Sequence, residues 1–205
     1  MAVPIATTGL WIAVGVLGFL LIAGWAAGFL LLAMGRLNLD LGWGRSLHQL
    51  GPIEIEITAS RDLVFRVISE PYLGHNPKGS GIEVLAKGED LVVAAHFTKL
   101  RFYEARTVEA VQFETPTRVH FRHLTGPVPY AVEQFELAEA GRGTTLRYTG
   151  ELGIDFYLLG RLAGRHWVRP QWERVVREHL EDVKERAERL ERDLGSRLSR
   201  RPRDQ

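Results

Sequence analysis

The sequence predicts an α+β domain, one curved antiparallel sheet wrapped around a long closing helix, held behind a single N-terminal transmembrane helix. Three observations carry this. Residues 9–34 hold no charged side chain, and Arg36 ends the run. Residues 82–152 read as about six short strands divided by turn residues, the pattern of an antiparallel meander. From Phe156 to about Leu194 the apolar residues fall at helical spacing.

The first run, about 26 residues, makes a helix of roughly 39 Å, enough to cross a hydrocarbon core of about 30 Å with some tilt. A secretory signal is the rival reading. It needs a basic leader and an apolar core of roughly 7–15 residues, whereas Met1 to Leu10 carries no Lys or Arg and the run is about twice that length. Arg36 and Arg45 follow the span and nothing basic precedes it. The positive-inside bias therefore predicts an N-terminus outside and a soluble domain in the cytoplasm, single-pass in the cell membrane. Trp11 and Trp43 suit the two interfaces. Gly24 and Gly28 form a GxxxG spacing that can pair two helices, with a monomeric anchor as the alternative. The division is a transmembrane anchor over residues 1–36, a juxtamembrane linker over 37–51, one domain over 52–194 and a basic tail over 195–205.

Composition narrows the chemistry. The chain has no cysteine, which removes disulfides, cysteine nucleophiles and thiolate metal sites. Its formal net charge is +1, so no global field argues for nucleic acid. No cofactor is expected, and no phosphate-binding or serine-hydrolase signature occurs.

In the soluble part, Ile53-Glu54-Ile55-Glu56-Ile57 alternates and predicts a half-buried strand. Ser60 is placed to cap a short helix carrying Leu63, Val64, Val67 and Ile68, and Pro71 is expected to stop it. Tyr72 to Gly81 reads as a loop. Turns are expected at residues 87–90, 100–101, 114–116, 126–129 and 140–143. Asp155 is placed to cap the last helix, which should break or kink at Pro170. Trp167, Trp172, Val176, Leu180 and Val183 form its core-facing stripe.

Ile55-Glu56-Ile57 through Val67-Ile68, and the pair Glu133-Gln134-Phe135-Glu136-Leu137 with Gly143-Thr144-Thr145-Leu146-Arg147-Tyr148, resemble the opening and penultimate segments of the START/SRPBCC superfamily. The helix from Phe156 is similar to its closing helix. The resemblance implies a helix-grip fold, with a cavity between sheet and helix for an apolar ligand. The family often has a Trp after the first helix, where this chain has Gly74-His75-Asn76-Pro77.

Strand parity predicts which side chains face inward. The candidate pocket set is Tyr103, Thr107, Glu109, Phe121, His123, Glu133, Phe135 and Tyr148, joined by Gly160 and Gly164 on the closing helix. A carboxylate facing an apolar interior needs a partner or a raised pKa, so Glu109, His123 and Glu133 either anchor a ligand oxygen or pair with one another. His120 and His123 point to opposite faces of a strand and cannot share a metal ion. His96 reads as a satisfied core histidine. Glycines in a helix imply close approach, by the sheet or by a ligand.

Beyond the domain, Val176, Leu180, Val183, Ala187, Leu190 and Leu194 follow coiled-coil spacing, with a solvated helix end as the alternative. The tail, with Arg197, Arg200, Arg201 and Arg203, suits anionic headgroups or no partner at all. The reading that follows is a binding module at the cytoplasmic face for a lipid, an isoprenoid or quinone, or a polyketide-like molecule, with membrane lipids as partners of the anchor. The alternatives are a cyclase or dehydratase using Glu109, His123 or Glu133 for proton transfer, and an interaction protein forming a homodimer through its helices.

Overall fold

The computed structural model describes residues 5–74, 81–99 and 102–199. Helix α1, Ile5–Ala33, contains the stretch Gly9–Ala33 that is long and apolar enough to cross a membrane. Almost none of that stretch is buried against the rest of the chain, so its apolar surface is turned outward on all sides.

Seven strands form one antiparallel sheet: β1 Ser46–Ile57, β2 Ile82–Lys87, β3 Leu91–Lys99, β4 Glu104–Glu114, β5 Arg118–Thr125, β6 Tyr130–Ala140 and β7 Gly143–Ile154. The order across the sheet is β1-β7-β6-β5-β4-β3-β2. The last six strands are thus a meander, as short turns require, and β1 closes the far edge by pairing with β7. Helix α2, Arg61–Leu73, follows β1. The chain ends in α3, Tyr157–Ala163, a π-helical turn at Gly164–Val168, and α4, Arg169–Ser199. Helix α4 lies along β1 and α2 and buries Val176, Leu180, Val183 and Ala187 against Leu50, Ile53, Ile57, Val64 and Ile68.

The structure corrects several local expectations. Strand β1 begins at Ser46, inside the stretch read as linker. Residues 46–50 pair with β7 from Ile154 to Gly150, the ladder slips at Gly51-Pro52, and pairing resumes at Ile53 opposite Tyr148. Pro52 has no N–H for the ladder, and the bulge breaks the alternation that marks a strand. Ser60 occupies the cap position of α2 but makes no capping bond. Its N–H and hydroxyl instead donate to Glu191 Oε2 on α4, at 3.2 and 3.4 Å. Pro71 does not stop α2, which runs on to Leu73. Asp155 does not cap α3; the cap residue is Phe156, in the left-handed region at φ 79°. The Asp155 carboxylate reaches back across the chain, accepting from the backbone N–H groups of Leu41 and Gly42 at 2.9 Å each and from Arg45 Nε at 2.8 Å.

The break expected at Pro170 is the π turn just before it. Pro170 offers no N–H to the preceding turn, so the ladder widens there. The wider turn swings Trp167 out of the core stripe, and it is exposed. Leu190 and Leu194 are exposed on the distal part of α4. Of the expected loops, residues 75–80 and 100–101 lie outside the described residues, as does most of the basic tail.

Candidate functional site

Register places a buried polar cluster on the helix-facing side of β3 to β7. Between Val108/Thr125 and Glu109/His123 the β4–β5 pairing advances one residue on β4 and two on β5, so Leu124 is bulged out. The unbroken ladder running from Glu114 and Arg118 sets His123 directly opposite Glu109, and the bulge falls just past that pair. His123 Nε2 lies 3.0 Å from Glu109 Oε1 and 3.5 Å from Glu133 Oε2, with its side chain only 3% exposed. Thr107 Oγ1 donates to Glu109 Oε1 at 2.9 Å. Glu133 Oε1 accepts from the Tyr148 hydroxyl at 2.5 Å and from Trp172 Nε1 at 2.8 Å. His96 Nε2 stands 3.5 Å from Glu109 Oε2 and 3.4 Å from the Tyr72 hydroxyl.

The walls are aromatic. The rings of Phe121 and Phe135 meet edge to face at 5.3 Å, Phe135 is 5.7 Å from Tyr148, and His123 is 5.1 Å from Trp172. His179 stacks on Phe135 at 6.1 Å. Thr107, Glu109, Phe121, His123, Glu133, Phe135 and Tyr148 are therefore gathered in one place. Tyr103 stands half-buried just ahead of β4. Gly160 and Gly164 do not border the cluster. A side chain at Gly160 would collide with the backbone of Ile154 and Asp155, and one at Gly164 with the His48 ring. Close approach by the sheet accounts for both glycines. Sequence reasoning missed the sharing of Trp172, Tyr72 and His179 in the cluster, since all lie on helices whose phase against the sheet no local pattern reports. It also read His96 only as core.

The cluster holds charge where water is scarce. Burial alone would push the Glu109 carboxyl up; His96, His123 and the Thr107 hydroxyl overcome that and hold it down at about 2. Burial alone would push the His123 imidazole down; Glu109 first, then Glu133, raise it to about 10. His123 is thus a buried imidazolium between two carboxylates. Neither of its ring nitrogens makes an aligned hydrogen bond among the described residues, so the pairing is ionic contact rather than directed donation. Burial, reinforced by Glu133, pushes the Tyr148 phenol well up. Burial and the neighbouring His96 push the His179 imidazole down. Among the described residues no group of three or more His, Asp or Glu is arranged to hold a metal ion.

A broad depression of about 970 Å³ opens mainly on the opposite face of the sheet, lined by Gln112, His120, Arg122, Gln134, Thr149 and Glu151, and it also touches Phe121, His123 and Glu133 of the cluster. The aromatic-walled cluster carries the perturbed ionisation states and is the stronger site.

Residues 53–188 match the family model described as polyketide cyclase / dehydrase and lipid transport. No curated protein matches. Solved structures share the fold. TTHA0849 from Thermus thermophilus aligns over 68% of this chain and 97% of its own, at 19% identity and TM-score 0.57. The di-domain aromatase/cyclase BexL, from the BE-7585A biosynthetic pathway, aligns over 71% of this chain and 50% of its own, at 17% identity and TM-score 0.59. The Zhui aromatase/cyclase from Streptomyces sp. R1128 aligns over 71% and 94%, at 16% identity and TM-score 0.52. The match over most of the domain, with the sheet and closing helix in place, means that the chain belongs to the polyketide cyclase / dehydrase and lipid transport family of the START/SRPBCC superfamily.

Proposed function

We propose that the chain is a membrane-anchored binding protein that takes up an apolar small molecule carrying an oxygen acceptor, of the lipid, isoprenoid or quinone, or polyketide type. The observation that carries this is His123: a deeply buried ring whose Nε2 faces Glu109 while its Nδ1 has no partner among the described residues, set among aromatic rings. A purely structural core is served as well by apolar residues of the same volume, so a charged donor without a directed partner suits a ligand oxygen better than it suits stability. The soluble domain is assigned to the cytoplasmic face on Arg36 and Arg45, which follow the span with no Lys or Arg ahead of it in residues 1–10.

The cyclase or dehydratase reading draws on the same carboxylates and histidine. It is the weaker one. General acid–base catalysis favours groups that titrate near the working pH, whereas Glu109 and His123 hold each other in fixed charge states far from it.

Solvent extraction of the detergent-purified chain, followed by mass spectrometry, tests the proposal. Wild-type protein should release an apolar species that His123→Phe loses and Arg142→Ala, at the far end of the sheet, retains. An empty wild type, or equal cargo in His123→Phe, would refute it.

A further inference from the structure

The starts of β1, β4 and β6 and the ends of β3, β5 and β7 share one end of the sheet. The chain leaving α1 is fastened to that same end. Arg106 N–H donates to Met34 O at 3.1 Å, and Asp155 holds Leu41 and Gly42. Helix α3 lies beside this exit, stitched to it by Phe156 N–H to Trp43 O at 2.8 Å and Tyr157 N–H to Gly44 O at 2.9 Å. Phe156 and Tyr157 both adopt positive φ, 79° and 49°, which is strained for bulky residues. On α3 and the turn after it, Gly160 and Gly164 pack against the end of β7 and His48, while Leu158, Leu159 and Leu162 face out.

Trp167, in the π turn that follows, is exposed as these leucines are. Leu159 and Trp167 are each 74% exposed, and Trp43, packed edge to face against Tyr157, is 61% exposed. A contiguous apolar face of this kind, built on an ordered helix, marks an interaction surface. Arg161 and Arg165 flank it, and neither has an acidic partner among the described residues. A groove of about 400 Å³ between Gly44–Ser46 and Tyr157–Arg161 adjoins it.

We propose that α3 and the following π turn are a second membrane contact. They lie in the headgroup layer of an anionic bilayer, apolar face down, and seat the domain on the surface beside its anchor. Two features select lipid over a protein partner. The face is continuous with the segment that leaves the apolar span, and aromatic rings with unpaired arginines at its edge are the chemistry of an interfacial helix. This rests on the anchoring by α1 proposed above. The polar cluster sits toward the same end of the sheet.

The chain has no cysteine, so single-cysteine variants carry one spin label each. The full chain would be labelled at Leu20, Leu159 or Arg142 and reconstituted in phosphatidylcholine vesicles with and without phosphatidylglycerol. Collision with oxygen, which partitions into lipid, would be compared with collision with a water-soluble nickel chelate. With anionic lipid, Leu159 should report lipid and Arg142 water. Arg161→Gln with Arg165→Gln should shift Leu159 toward water, the docked-to-undocked ratio falling about fivefold per arginine removed. A water-exposed Leu159 beside a lipid-buried Leu20 overturns docking and leaves the anchor intact. A water-exposed Leu20 overturns both. A Leu159 label shielded from both reagents, with broadening that vanishes when unlabelled protein is mixed in, assigns the face to a second copy and also overturns the proposal.

Discussion

Glu109→Gln is the sharpest probe of the buried cluster. The substitution keeps the shape of the side chain and removes the charge facing His123 at 3.0 Å. The folded imidazole is held at about 10 against an ordinary 6.5. A group raised on folding stabilises fully below its unfolded pKa and loses that contribution as pH climbs through the folded value. At pH 7 the pairing spans about 3 pH units, which at about 1.36 kcal/mol per unit is about 4 kcal/mol. With 3% of the His123 side chain exposed, solvent screens little of it. Breaking one side of a buried ion pair costs about 3–5 kcal/mol by independent experience, so the two routes agree. Glu133 remains in the variant and sets the loss at or below that figure.

The assay is urea unfolding of the full chain in detergent micelles, followed by tryptophan fluorescence between pH 6 and pH 10. Comparing variant with wild type cancels the other groups that titrate in alkali. The stability gap should be widest near pH 6–7 and should close toward pH 10 at about one proton's slope, roughly 1.36 kcal/mol per pH unit. A gap under about 1 kcal/mol at pH 7, or one that does not narrow with rising pH, would refute the imidazolium pairing.

Other consequences follow from single contacts. Tyr148→Phe removes a hydrogen bond to the Glu133 carboxylate from a fully buried ring and should cost about 1.5–3 kcal/mol in the same unfolding assay. Gly160→Ala drives a methyl into the Asp155 carbonyl and should cost at least about 1–3 kcal/mol, read as a lowered melting temperature. Asp155→Asn loosens Leu41, Gly42 and Arg45 and should speed proteolytic cleavage within residues 37–45. Arg45 first, with the Leu41 and Gly42 amides, holds the Asp155 carboxyl below its ordinary 3.8 despite burial. Its stabilisation is present above that value and should fade in the wild type only as pH falls below it.

The sheet was legible because its turns announce themselves: residues 87–90, 114–116, 126–129 and 140–143 each fall at a junction of consecutive strands. Parity then placed Glu109, His123 and Glu133 on the same face, because a two-residue period leaves only two choices. The bulge at Leu124 was not legible, since nothing in Arg122-His123-Leu124-Thr125 differs from a regular strand; it falls past His123 and leaves its pairing with Glu109 untouched. The first half of β1 hid behind Gly51-Pro52. Trp167 was misplaced because the π turn ahead of Pro170 shifts the phase of everything around it, and a proline announces a break without saying how far the phase moves. Asp155 reads in sequence as an ordinary cap, and its partners more than a hundred residues upstream leave no local trace.

Those partners give residues 34–45 a mechanical character. With Met34 held by Arg106 at one end and Leu41 to Arg45 held by Asp155 at the other, the stretch is a strut with little slack to take up a change of phase. Torsion in α1 therefore has nowhere to dissipate. One residue inserted into that helix would rotate whatever follows by about 100°, and the globular part would have to swing with it or tear free of its fastenings.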